Sequence, residues 1–246
     1  MAIELPKSKI PAETQDPQKL IIFSKPKMGK STALAELPGC LCVDMEQGGY
    51  DYINAMKIKI NSVKDLRELC KAIVDAGKPY KFIALDTISR LEDMVKPLAL
   101  KLYQETPAGS KFTGDDVLDA AMGAGYQYIR KAMEMCIDMV SKCAPNIILV
   151  CHSKDSAVGV SDLTIKQIDL LGKSGRVLAS KSDGIGWLTR DENSNTILSF
   201  NTNDLSIEVG SRPAHLRNKE IVLGEMQPDG NIIYHWERIF PSLAKK

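Results

Sequence analysis

The sequence predicts an α/β fold, a doubly wound and mostly parallel sheet with an antiparallel extension towards its C-terminus. Three observations lead there. Short apolar runs, each the length of a buried strand, alternate with segments of helical periodicity. Each run ends in polar or glycine-containing sequence, as the strands of such a sheet do where they meet ligand. After about residue 185 the alternation gives way to short strand patterns around polar turns. The 246 residues suit one large domain with additions.

Residues 1–18 read as a flexible N-terminal segment, followed by one domain over 19–240 and a tail over 241–246. The runs "KLIIF" (19–23), "CLCVDM" (40–45), "KFIALD" (81–86) and "NIILVCH" (146–152) are the expected buried parallel strands. "STALAEL" opens a helix after the first. A second helix runs over "SVKDLRELCKAIVDAG", with Val63, Leu66, Leu69, Cys70, Ile73 and Val74 on one face, Ser62 as N-cap and Gly77 as stop. A third is expected from about Asp115 to Cys143, where Leu118, Met122, Tyr126, Ile129, Met133, Cys136, Ile137 and Val140 recur at helical spacing as a core face. "IGWLTRDENSNTILSFN" reads as two strands around a turn and "NIIYHWERI" as a third. Two long polar loops remain, 103–116 and 153–166, of a length that usually carries function.

Composition narrows the function classes. The 44% hydrophobic and 26% charged content is that of an ordinary soluble globular protein, and no apolar run is long enough to span a bilayer. The N-terminal residues lack the features of a secretory signal, so a cytoplasmic location is expected. Six cysteines at 40, 42, 70, 136, 143 and 151 have no metal-binding spacing and read as buried free thiols. A net charge of +1 gives no global attraction to nucleic acid, so any such site must be a local patch.

The chemistry is expected at the strand ends. "SKPKMGKST" follows the first strand and opens a helix, where backbone N–H groups and the helix dipole favour phosphate. Ser24, Lys25, Pro26, Lys27, Met28, Gly29, Lys30, Ser31 and Thr32 are therefore read as a nucleotide-binding loop, although Ser24 stands where such a loop usually has its first glycine. Gly29 gives conformational freedom, Lys30 reaches terminal phosphates, and Ser31 offers its hydroxyl to Mg²⁺. "VDMEQGG" places Asp44 and Glu46 past the second strand, where a carboxylate orients and deprotonates water. Asp86 ends "FIALD", a position suited to Mg²⁺, and His152 ends the "LVCH" strand, a position suited to sensing the terminal phosphate. Residue by residue, each is also what an ordinary strand-ending turn contains; their order in one chain points to a nucleotide site.

This order of motifs resembles the RecA-like branch of P-loop ATPases, and most closely the phage-encoded RecA-like ATPases of the single-strand annealing and recombination type, a group of AAA-domain nucleotide-binding proteins. The resemblance covers about Lys19 to Lys219, on "SKPKMGKST", "VDMEQGGY", "FIALDTIS", "ILVCHSK", "KSDGIGWLTR" and "GSRPAHL". It implies a homo-oligomeric, Mg²⁺-dependent ATPase, stimulated by single-stranded DNA and promoting annealing or strand pairing, with a single-strand binding protein as a further partner. It implies Glu46 as catalytic base beside Lys30, and Ser31 and Asp86 as metal ligands. The two long loops would meet DNA through Lys111, Phe112, Lys154 and Lys166, and Arg212 would complete a neighbour's ATP site or touch DNA. The alternatives are an ATPase of DNA replication or packaging and a nucleotide-gated module that recruits a partner without hydrolysis. Whether the oligomer is a ring or a filament is open at this level.

Overall fold

The computed structural model describes residues 5, 8, 9, 16–46, 48–157 and 164–244. In chain order the elements are β1 (Lys19–Ser24), α1 (Lys30–Ala35), β2 (Cys40–Asp44), β3 (Lys57–Lys59), α2 (Val63–Asp75), β4 (Phe82–Asp86), α3 (Ile88–Met94), α4 (Lys96–Gln104) and α5 (Ala124–Val140). They continue with β5 (Asn146–Ala157), β6 (Thr164–Ile168), α6 (Ser174–Ser180), β7 (Gly184–Arg190), β8 (Thr196–Ser199), β9 (Gly210–Ser211), β10 (Glu220–Met226) and β11 (Ile232–Tyr234). One sheet runs β11-β10-β8-β7-β1-β5-β4-β2-β3, with β6 pairing β5 and β9 pairing β7 beside that path. From β7 to β3 neighbours are parallel, and β8, β10 and β11 are antiparallel additions.

The apolar runs become central strands because both faces of the sheet are covered. Ile21, Phe23, Leu41, Val43, Ile83 and Leu85 face a core that includes Leu66 and Ile73 of α2 and Ile129, Met133 and Ile137 of α5. The alternate residues Leu20, Ile22, Cys42, Ala84, Ile148 and Val150 face a second core with Ala33 and Leu34 of α1 and with Trp236 and Phe240. The Trp236 indole N–H donates to the Ala33 carbonyl at 2.9 Å, tying the C-terminal segment to the helix that follows the glycine–lysine loop. All six cysteines are free and buried. Among the described residues no helix is long and apolar enough to cross a membrane.

Several expectations change. The helix expected from Asp115 begins only at Ala124; before it lie two short 3₁₀ turns, and Met122 is left-handed (φ 56°) and fully exposed rather than part of the core face. Tyr126 is likewise substantially exposed. The segment 88–104, given no element from sequence, forms α3 and α4, whose Leu91, Val95, Ala99 and Tyr103 are buried. The loop expected at 153–166 is largely strand: β5 continues to Ala157 and β6 returns antiparallel to it, with Lys154 opposite Gln167 and Asp155 opposite Lys166. Residues 158–163 of that stretch lie outside the described residues, as do most of 1–18 and the final two. The strand from 184 is parallel to β1, so the antiparallel extension starts one strand later than expected. Within 241–246, Pro241–Leu243 forms a 3₁₀ turn.

Candidate functional site

Parallel pairing carries the strand-end residues to one edge. Ser24 is in register with His152, Val150 with Asp86, and Asp86 with Asp44. The segments beyond these ends enclose a cleft of about 390 Å³ lined by Pro26, Lys27, Met28, Gly29, Lys30, Ser31, Thr32, Glu46, Gly48, Gly49, Tyr52, Ile53, Asp86, Thr87 and His152.

The loop owes its shape to Gly29, whose φ of +90° at the N-cap of α1 is strained for any residue with a Cβ. Lys30 is folded back and buried. Its Nζ donates to Ser24 Oγ at 2.8 Å and to the Lys25 carbonyl at 3.2 Å. Ser24 Oγ in turn donates to the Lys25 carbonyl at 2.7 Å. The serine at the missing-glycine position is thus fully buried and serves the lysine amine. Ser24 and Lys25 are not among the cleft-lining residues; the Ser24 hydroxyl and the Lys25 carbonyl are partners of the lysine amine. Burial pulls the Lys30 amine below its ordinary pKa, with Asp86 and Glu46 opposing the shift.

Across the loop, Ser31 Oγ donates to Asp86 Oδ2 at 2.7 Å, and the buried Tyr50 hydroxyl donates to the same oxygen at 2.9 Å. Burial raises the Asp86 pKa, against the hydrogen bonds from Ser31 and Tyr50. A hydroxyl and a carboxylate aimed at one point beside a phosphate loop are the oxygen donors Mg²⁺ takes, usually with substrate phosphates completing the set. The residues fit that ion.

Glu46 is held from two sides. His152 Nε2 lies 2.8 Å and Thr87 Oγ1 2.9 Å from its Oε1. The His152 hydrogen bond is the largest cause holding the Glu46 pKa below the usual carboxylate range. With Glu46 ionised, the imidazole Nε2 carries a proton and donates it. His152 therefore contacts the carboxylate directly, not only the place where a terminal phosphate would lie.

The remaining candidates lie elsewhere. Lys111 is exposed, whereas Phe112 is half-buried with its ring 5.5 Å from Tyr103; edge-on packing against the core takes it away from base stacking. Lys154 donates to the Leu170 carbonyl and lies 3.7 Å from Asp169. With Gln167, Lys173 and Arg176 it lines a cavity of about 130 Å³ beside the β5–β6 hairpin. Lys166 is on β6, its N–H donating to Ser206 O. Arg212 is not brought to the cleft of its own chain: it donates to Ser180 O at 2.7 Å and to Asp183 at 3.3 Å, at the opposite end of β7. Its position follows from the short antiparallel pairing of β9 with the start of β7, which no sequence pattern announces. Sequence reasoning missed Tyr50 and Thr87; both sit inside or directly after the motif strings, which was the available signal.

Residues 16–222, most of the chain, match the model of a family described as an AAA domain. No curated protein matches the chain. Among solved structures, a KaiC-like protein from the hyperthermophilic archaeon Pyrococcus horikoshii OT3 is similar, with a TM-score of 0.48 at 13% identity over 89% of each chain.

Proposed function

The chain belongs to the AAA domain family, and from that premise we propose that it is an Mg²⁺-dependent ATPase that binds single-stranded DNA and promotes annealing or strand pairing. The observation that carries the ATPase reading is the convergence of Lys30, the Ser31–Asp86 pair and the His152–Glu46–Thr87 set in one cleft. The loop N–H groups and Lys30 bind the phosphates, Lys30 leaving Ser24 to do so. Mg²⁺ held by Ser31 and Asp86 would supply neutralisation of phosphate charge. Glu46, kept ionised by its hydrogen bonds, accepts the proton of the attacking water. His152 bonds Glu46 and belongs to the strand that continues into the hairpin, so a change in that bond is transmitted towards β6.

The nucleic-acid reading is supported by the cavity lined by Lys154, Lys173 and Arg176, three cations against the one carboxylate of Glu208 on its wall, with Lys154 also paired to Asp169. Arg212 lies at the opposite end of β7 from its own chain's cleft, so the role proposed for it is in the site of a neighbouring copy within a ring or filament. A host cytoplasm and a phage recombination role complete the proposal. ATP turnover with and without single-stranded DNA tests it: DNA-stimulated hydrolysis is expected. Hydrolysis absent under both conditions overturns the enzyme reading in favour of a nucleotide-gated module. On the DNA side, removing the Lys154 or Lys166 charge should weaken binding evenly across sequences and lower the salt slope by about one.

A further inference from the structure

Beside Asp86 stands a second carboxyl group that the reading above leaves unused. Asp44 ends β2 in register with Asp86, so the two side chains emerge on the same face of adjacent parallel strands. It is 1% exposed, and among the described residues neither of its oxygens has a hydrogen-bond partner of good geometry, although the Glu46 backbone N–H acts on it and opposes the effect of burial. A buried carboxyl without a well-made partner, next to another carboxylate, either takes up a proton or needs a cation or its waters to complete the set. The group stands directly behind the cleft wall. A Cβ built on Gly49, a cleft-lining residue, would lie 3.5 Å from Asp44 Oδ1, in van der Waals contact with it. Glycine there leaves no side chain on the stretch of wall beside Asp44.

We propose that Asp44 is a further residue of the divalent-cation site, contributing a second carboxylate, through water, to the ion held by Ser31 and Asp86. The inference rests on the cleft being a Mg²⁺–nucleotide site. Its role is positioning: a carboxylate behind the direct ligands orients bound water and tightens the metal, and losing such a partner typically weakens metal affinity about 10–100-fold. Neighbouring cations do not explain it away. Lys59 acts on Asp44 only at a distance and is hydrogen-bonded to Asp51, and Lys30 is bonded to Ser24 and the Lys25 carbonyl.

The test measures Mn²⁺ binding by electron paramagnetic resonance in the presence of a non-hydrolysable ATP analogue, for the full chain and for D44N, G49A and D86N. Binding of the same analogue in chelator is measured alongside. D44N keeps the size of the side chain and removes its charge. It is expected to loosen Mn²⁺ roughly tenfold while leaving metal-free nucleotide binding within about twofold. G49A, which puts a methyl group against Asp44 Oδ1, should loosen Mn²⁺ in the same direction and keeps the test open if D44N fails to fold. Mn²⁺ affinity unchanged in either folded variant, with D86N impaired, overturns the role of Asp44 and leaves the cleft assignment standing. If the unaltered chain shows no Mn²⁺-linked nucleotide binding, the cleft assignment falls and this inference with it.

Discussion

The two ends of the central sheet use the same residue types for opposite purposes. At the carboxyl end, Lys30, Asp86, Asp44 and Glu46 are charged or ionisable groups placed in or behind a cleft, where Asp86 and Glu46 are held by hydroxyl and imidazole side chains and Lys30 by a hydroxyl and loop carbonyls. At the amino end, Asp183 accepts the N–H groups of Gln18 and Lys19 at 3.0 Å each and pairs with Arg212. The Asp183 N–H donates back to Lys19 O. Those contacts clamp the start of β1 to the start of β7. Charges whose partners are backbone N–H groups already in place contribute stability; charges held largely by side chains in and behind a cleft can exchange those partners for a ligand. Which end a charged residue occupies therefore says more about its role than its type does.

The comparison is broken most severely if the carboxyl end turns out to be structural. E46Q should lower ATP turnover roughly 10²–10⁴-fold, the usual weight of a positioned general base, with ATP affinity and melting temperature nearly unchanged. Steady-state hydrolysis and a fluorescent-nucleotide titration decide it. Unimpaired turnover removes Glu46 as the base. K30A should come next, weakening ATP binding about 10–100-fold, as expected for charge-assisted hydrogen bonds to phosphate.

The amino end should give the converse result. D183A strands two N–H groups and removes one of Arg212's partners, so urea unfolding should show a loss of about 1–3 kcal/mol, with nucleotide affinity in dilute solution unaffected. A D183A protein of normal stability that fails to bind ATP would erase the distinction between the two ends.

Much of this division was legible in the sequence, for reasons that can be named. Strands β1, β2 and β4 are buried along nearly their whole length, so their apolar runs could hardly read otherwise. Ser62 caps α2 as its position suggested, accepting from the Asp65 N–H at 3.1 Å. The α3–α4 segment escaped because Pro97 reads as a breaker, yet it lies in the first turn of α4, where the missing N–H is no loss. Met122 kept helical spacing with the core face, but the left-handed turn at Met122 and Gly123 rotates it away. The charged residues of "SKDSA" disguised a strand because β5 outruns the sheet there and pairs only with β6. Motif order found the cleft, since strand ends collect at one edge. It could not assign Arg212, whose location depends on pairing across residues distant in sequence, nor show that Ser24 would turn towards the lysine.

That serine provides the smallest effect and the finest test of the contrast. Ser24 Oγ is one of Lys30's partners, so it stabilises an arrangement that must be left when phosphate binds. A ligand shifts an equilibrium only by its differential affinity for the two states. S24A leaves the amine with the carbonyls of Ser24 and Lys25, the former at 3.5 Å, so the empty state loses about 1 kcal/mol. The bound state, in which Lys30 has moved to phosphate, loses less. ATP affinity should therefore rise by up to about fivefold while the stability of the free protein falls, a pairing of signs that calorimetry and thermal melting can both read. S24G should behave in the same way. If S24A instead weakens ATP binding as strongly as K30A, the Ser24 hydroxyl contacts the phosphates itself, and the loop holds its nucleotide by a different set of atoms.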